Sequence, residues 1–348
     1  MKRLPATLLD VVRHFSDPQV AHDFFVQARW PHGACCPRRD CGSMDVARIT
    51  GRNTWRCRDC KRQFSVKNGT VFEDSPIGFD KWLPAMWILH NTKNGTSSCE
   101  LAKDLGVTQK TAWFMLHRLR EGAESCTFER LSGTVEADET YVGGKATSVD
   151  ANPETGKLMP TGPQDNKTIV MGIVERKGKV RAFVIEDTTR NTLHGKIKEH
   201  VAEGSDVHTD AWKAYGKLTS YAHFVINHDV EYVNGNIHTN NIENFWSLLK
   251  RTVKGTYICP RPWHLGRYVD TQAFRYNVRD MDDAGRFITA LKQADGKRIT
   301  YKALTATVNA EQEQAKERQR AAQLKRLRDW RRGRRIPDKS SSSFTFLA

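Results

Sequence analysis

Residues 238–254 read H-T-N-N-I-E-N-F-W-S-L-L-K-R-T-V-K. Ile242, Phe245, Trp246, Leu249 and Val253 recur at i, i+3, i+4, i+7 and i+11, the apolar face of an amphipathic helix. Glu243 and Lys250 stand seven residues apart and share a second face, two turns from each other. A carboxylate and an ammonium on the exposed side of an anchored helix suit chemistry on a cation and a phosphate. A plainer reading makes Asn240 the N-cap and Glu243 a capping-box residue. Two aspartates upstream decide between these readings.

In the upstream stretch T-V-E-A-D-E-T-Y-V-G-G (134–144) the period is two. Glu136, Asp138 and Thr140 fall on one face of a strand, and Val135, Ala137 and Glu139 on the other. Residues 145–167, rich in Pro, Gly, Asp and Asn, read as a long loop. K-T-I-V-M-G-I-V-E-R and K-V-R-A-F-V-I-E-D form a hairpin across Lys177-Gly178. A helix follows over 191–203. D-V-H-T-D-A-W-K-A-Y gives a short strand ending near Asp210, then a helix. A loop carrying His223, His228 and His238 leads back to the opening helix.

This order places Asp138 on the first strand, Asp210 at the end of the fourth and Glu243 on a later helix. It is the layout of an α/β ribonuclease-H-like domain, a mixed sheet with helices, whose central strands bring 138 and 210 together. Three converging carboxylates repel unless cations lie between them. Two Mg2+ (or Mn2+) ions about 3.5–4 Å apart would activate the attacking oxygen and stabilise the leaving one in phosphodiester displacement. Asp138, on the central strand, is the bridging ligand, with Asp210 on one ion and Glu243 on the other. Lys250 and Arg251 then hold the DNA backbone beside them. Oxygen donors fit Mg2+ or Mn2+ rather than zinc.

The whole chain suits a nucleic-acid partner. It has 348 residues, 39% hydrophobic and 27% charged, with a formal net charge of +15 and a pI near 9.5. That balance points to a polyanion. No apolar run has spanning length, so no membrane is expected. The N-terminus lacks a sustained apolar stretch and a small-residue cleavage site, so the cytoplasm is the expected compartment. Eight cysteines are present, and five lie between Cys35 and Cys60. In a reducing compartment such a cluster binds metal rather than forming disulfides.

Cys57 and Cys60 form a C-x-x-C knuckle; its partner is Cys36 with Cys41, or Cys35 with Cys41. Cys36 is preferred, because four intervening residues fit a knuckle better than five. Four thiolates from two knuckles match a closed structural Zn2+ site, and the metal supplies much of the folding free energy of so small a ribbon. Arg38, Arg39, Arg52, Arg56, Arg58, Lys61 and Arg62 surround it and suit phosphate contacts. Further on, F-D-K-W-L-P-A-M-W-I-L-H is apolar nearly all round and reads as a buried helix. Ser98 caps a short helix, Gly106 makes a turn and Thr108 caps a second helix. This is helix-turn-helix spacing, with Gln109, Lys110 and Trp113 at the start of the recognition helix.

W-R-C-R-D-C-K-R-Q-F-S-V-K-N-G-T-V-F (55–72), V-E-A-D-E-T-Y-V-G-G-K (135–145), H-T-D-A-W-K-A-Y (208–215) and H-T-N-N-I-E-N-F-W-S-L-L-K-R (238–251) carry a family resemblance. In these stretches and their order, over residues 20 to 280, the chain resembles bacterial insertion-sequence transposases of the DDE class. The branch it resembles has an N-terminal zinc ribbon and a helix-turn-helix before the catalytic domain. The resemblance implies DNA cleavage and strand transfer at element ends, with Asp138, Asp210 and Glu243 as the acids. Some members use an Asn in the third position with a Lys further along, and Asn240 and Lys250 match that version. The first knuckle departs from the usual C-x-x-C by two residues.

The expected organisation is a helical cap over 1–30, a zinc ribbon over 31–75, a helix-turn-helix over 76–125, a catalytic domain over 130–295 and a basic helical tail over 300–348. Residues 260–295 read as a helical extension closing over the catalytic domain. Residues 311–335 hold ten Lys and Arg against four acids, a basic helix or arm for DNA. Expected partners are the element's terminal repeats, target DNA and further copies of the chain on that DNA. The rival functions are a non-catalytic DNA-binding regulator and a ribonuclease-H-like nuclease for branched or hybrid substrates.

Overall fold

The computed structural model describes residues 4–124, 129–143, 167–226, 238–258 and 260–305. Most of the loop read over 145–167, His228 and the basic stretch 311–335 lie outside the described residues. The chain divides into two compact units, Met1–Arg298 and Ile299–Ala348.

Two capped helices open the first unit. Helix α1 (Leu8–His14) starts at a Thr7–Asp10 capping box, and α2 (Pro18–Arg29) at Asp17, whose side chain accepts from Gln19 N–H, with proline at the first helical position. Strands β1 (Val46–Arg48), β2 (Thr54–Cys57) and β3 (Gln63–Ser65) form an antiparallel ribbon. Helix α3 (Phe79–Asn91) is buried almost all round, as its composition predicts. Helix α4 (Ser98–Leu105) is capped by Ser97 rather than Ser98, because Ser97 and Glu100 form the capping box. Gly106 ends it in the left-handed conformation (φ 59°), which glycine adopts without strain. Thr108 caps α5 (Gln109–Ala123).

A five-stranded mixed sheet follows, built from β4 (Thr134–Val142), β5 (Thr168–Glu175), β6 (Val180–Ile185), β7 (Asp206–Asp210) and β8 (Ala222–Ile226), with α6 (Arg190–His200) before β7. Its order is β6-β5-β4-β7-β8. The β5–β6 hairpin turns through Lys177 at φ 61°. Strands β4, β7 and β8 are parallel. This is the ribonuclease-H-like arrangement. Strand β8 falls where the sequence reads as a loop, since half-exposed Phe224 and Val225 mask its alternation. The helix expected after Asp210 is a short 3-10 turn, Lys213–Tyr215.

Helices α7 (Asn240–Thr252) and α8 (Pro262–Asn277) cover one face of the sheet, where Val170, Val174 and Val180 meet Ile242, Phe245, Trp246 and Val269. Met171, Ile173, Leu193, Ile197 and Tyr215 fill the other face. Gly172 lets α7 approach: a Cβ there would lie 2.7 Å from both Ile242 Cδ1 and Trp246 Cη2. The helical extension expected over the sheet divides. Helix α8 lies on the sheet and also sends Phe274 into the N-terminal core, which α9 (Asp283–Gln293) joins with Phe287, Ala290 and Leu291.

Candidate active site and metal centres

The ribbon gathers Cys36, Cys41, Cys57 and Cys60 so that their sulfurs all lie within 4.8 Å of one another; Cys35 stays outside. Cys36 Sγ is 3.8 Å from Cys60 Sγ, and Cys41 Sγ is 3.7 Å from Cys57 Sγ. A tetrahedron with Zn–S bonds of about 2.3 Å has edges of about 3.8 Å, so the four thiols fit zinc. Burial pushes the Cys36 thiol up, while the Cys60 backbone N–H draws the Cys57 thiol down.

The second cluster lies on the mixed sheet. Parallel pairing sets Glu136 opposite His208, and two residues further along the same strands stand Asp138 and Asp210. Asp138 also faces Gly172 on β5, and above Gly172 the Trp246 indole N–H donates to Asp138 Oδ2 at 2.9 Å. Burial raises the Asp138 carboxyl to about 6; the Trp246 bond opposes that rise, and the charges of Asp210 and Glu243 add to it. Glu139 joins the group: burial, with help from Asp210 and Asp138, raises its carboxyl to about 7, against the Tyr215 hydroxyl that donates to it at 2.5 Å. Asp210 accepts the Trp212 N–H at 3.0 Å. Among the described residues the four cysteines are the group of three or more donors placed to share one ion. The all-oxygen donor set of the carboxylates suits Mg2+ or Mn2+, and Asp138 keeps one oxygen beyond the indole bond.

Glu243 and Asn240 are both exposed on α7. The N-cap is Thr239, not Asn240, so Glu243 is the fourth helical residue. Thr239 Oγ1 donates to Glu243 Oε1 at 3.1 Å, but Thr239 does not cap the backbone. That task falls to Glu136, fully buried on β4. Its Oε2 accepts from the backbone N–H of Asn241 (2.8 Å) and of Ile242 (3.1 Å). Its Oε1 accepts from Asn241 Nδ2 at 2.8 Å and Arg176 Nε at 2.9 Å. Arg176 Nη2 donates to the His238 carbonyl at 2.8 Å and lies 3.5 Å from His208 Nδ1.

Lys250 lines a cavity of about 250 Å³ with Lys167, Lys254, Tyr141 and Gly143; Arg251 is exposed on the same helix. Gln109 and Lys110 are exposed on the first turn of α5, where Gln109 Nε2 donates to Ser98 Oγ at 2.8 Å. Sequence reasoning missed Glu136, Glu139, Arg176, Trp246 and the two extra lysines. The only signal was the strand alternation that put Glu136 on the face of Asp138.

Known proteins bear on this arrangement. The family model for the ISXO2-like transposase domain matches residues 130–277, and that for the transposase zinc-ribbon domain matches residues 16–63. A protein in transposable element ISH50 of Halobacterium salinarum is 28% identical over 253 residues, spanning 69% of this chain and 84% of its own. A transposase-like protein of Haemophilus influenzae is 30% identical over 119 residues, spanning 34% of this chain and 94% of its own. No helix among the described residues is long and apolar enough to cross a membrane. With a transposase domain over the mixed sheet, a transposase zinc ribbon over the cysteines and relatives from mobile elements, the chain belongs to the insertion-sequence transposases with an ISXO2-like transposase domain.

Proposed function

We propose that this transposase cuts DNA at the ends of its insertion sequence and joins those ends to target DNA, with Asp138, Asp210 and Glu243 holding two Mg2+ or Mn2+ ions. The supporting observation is geometric: the parallel register of β4 and β7 runs toward Asp138 and Asp210 together, and Trp246 of α7, three residues after Glu243, bonds Asp138. When bound, the ions supply an activated attacking oxygen and stabilisation of the leaving one. Trp246 holds one Asp138 oxygen and so orients the other. Tyr215 holds Glu139 beside the acids, where it can keep a proton near neutral pH. Lys250 and Arg251, with Lys167 and Lys254, bind backbone phosphates next to the acids and set the strand in place.

DNA ends are read elsewhere. The zinc-bound ribbon brings its arginines to phosphates, and the α4–α5 pair acts as a helix-turn-helix that presents Gln109 and Lys110 to base edges. The work is done by more than one copy on DNA in the cytoplasm. The test is to incubate the purified chain with Mg2+ and DNA carrying the element's flanking ends, mapping products to the nucleotide. Cuts at the ends and joined products are expected from the native chain and none from Asp138→Ala. Tight binding without any cut in Mg2+ or Mn2+ would overturn the reading.

A further inference from the structure

Each of the three acids stands two positions after a residue of one network centred on buried Glu136: Glu136 before Asp138, His208 before Asp210 and Asn241 before Glu243. Glu136 and Arg176 join these elements. Glu136 is fully buried and takes four hydrogen bonds, three of them from Asn241 and Ile242 at the start of α7. Arg176, at the end of β5, bonds Glu136, holds the carbonyl just before α7 and reaches His208 on β7. Resting on the function proposed above, we propose that Glu136 and Arg176 are positioning residues that lock β4, β7 and α7 into the register at which their three acids share cations.

Burying a full carboxylate is costly, and an apolar pair of the same volume commonly holds such an interface as well or better. Apolar contacts are non-directional, whereas three hydrogen bonds from the helix to one carboxylate fix where the helix begins and how it is turned. A helix carries its side-chain ends roughly 6 Å from its axis, so a turn of about 20° moves Glu243 by about 2 Å. Mg2+ binds oxygens at about 2.0–2.1 Å with little tolerance, and a misplacement of about 1 Å can cost a hundredfold in rate. The N2 and N3 amides of α7 would need capping in any protein. Here the cap comes from the strand that carries Asp138, so satisfying the helix also sets the site.

The test compares the native full-length chain with Glu136→Gln and Arg176→Lys. Glutamine keeps the shape but turns an NH2 toward donors; lysine keeps the charge but loses the fork. Mn2+ binding is measured by calorimetry without DNA, since Mn2+ prefers the oxygen donors to the thiolates. End cleavage is measured against Mg2+ concentration, and end binding by gel shift. Both variants should bind Mn2+ roughly tenfold or more weakly, need correspondingly more Mg2+ for half-maximal cleavage and bind ends as the native chain does. A merely structural pair would lower the urea midpoint and leave Mn2+ affinity and Mg2+ half-saturation unchanged; that result overturns the proposal. If Glu136→Gln does not fold, Arg176→Lys decides by the same two numbers. A native chain that binds Mn2+ through Asp138 but never cuts would refute the function proposed above, while the Mn2+ affinities would still decide the clamp.

Discussion

Replacing Asp138 by Asn should stabilise the protein in buffer free of Mg2+ and Mn2+, and by an amount that depends on pH. Burial and the neighbouring acids raise this carboxyl from 3.8 to about 6 in the folded chain. A raised acid contributes its stability below the unfolded value, near pH 4, and loses it as pH rises through about 6. At pH 8 the loss is complete and is about 3 kcal/mol, at 1.36 kcal/mol for each pH unit between the two values; at pH 5 about half of it has developed. Asn carries no charge, and its carbonyl can still accept the Trp246 N–H, so the substitution removes this penalty and little else. Urea unfolding of both chains at pH 5 and pH 8 is the assay. The gain of Asp138→Asn over the native chain should be larger at pH 8 than at pH 5 by about 1–1.5 kcal/mol. An equal gain at both pH values, or a loss at pH 8, would refute the reasoning.

Gly172→Ala should cost about 1–3 kcal/mol and abolish cutting, because the new methyl lies within contact distance of Ile242 and Trp246 and lifts α7 from the sheet; urea unfolding and the end-cleavage assay measure both. The full chain kept reduced should carry one Zn2+, and Cys57→Ser should lose it while Cys35→Ser keeps it; metal analysis of the purified proteins checks this. Glu243→Ala should abolish strand transfer with end binding nearly intact, and Asn240→Ala should retain it. The opposite pattern would move the third ligand to Asn240.

Much of the framework is legible because it is local. The period-four face of α7, the alternation of β4 and the Lys177-Gly178 hairpin each need only a short window. The 72-residue step from Asp138 to Asp210 follows from element order, since the strands carrying them pair in parallel. What stays hidden is decided by distant partners. Glu136 reads as one more residue of an alternating strand, and the amides it caps lie 105 and 106 positions away. Asn240 looks like the better cap until that carboxylate takes over the amides. Strand β8 is too short and too exposed to declare itself. The amphipathic pattern of α9 says that it has a buried face but not whose core receives it.

That last helix changes how the chain may be divided. Phe287 of α9 sits 6.3 Å from Phe15, 6.3 Å from Phe24 and 5.5 Å from Trp87, ring centre to ring centre. Beyond it, Asp295 pairs with Arg29 at 2.8 Å and Gly296 N–H donates to the Gly69 carbonyl at 2.8 Å. The mixed sheet is therefore an insertion, spliced into a body whose first and last pieces close on each other. It is joined by two covalent crossings rather than one tether, and α8 is a beam shared by both, braced to α5 through Arg267 and Glu121 at 2.7 Å. A displacement of α5 therefore passes through this ion pair to the helix lying on the mixed sheet. For the same reason, a fragment cut after residue 125 lacks the side chains of α8 and α9 that fill its core, and supplying residues 262–298 as a separate peptide should restore its fold.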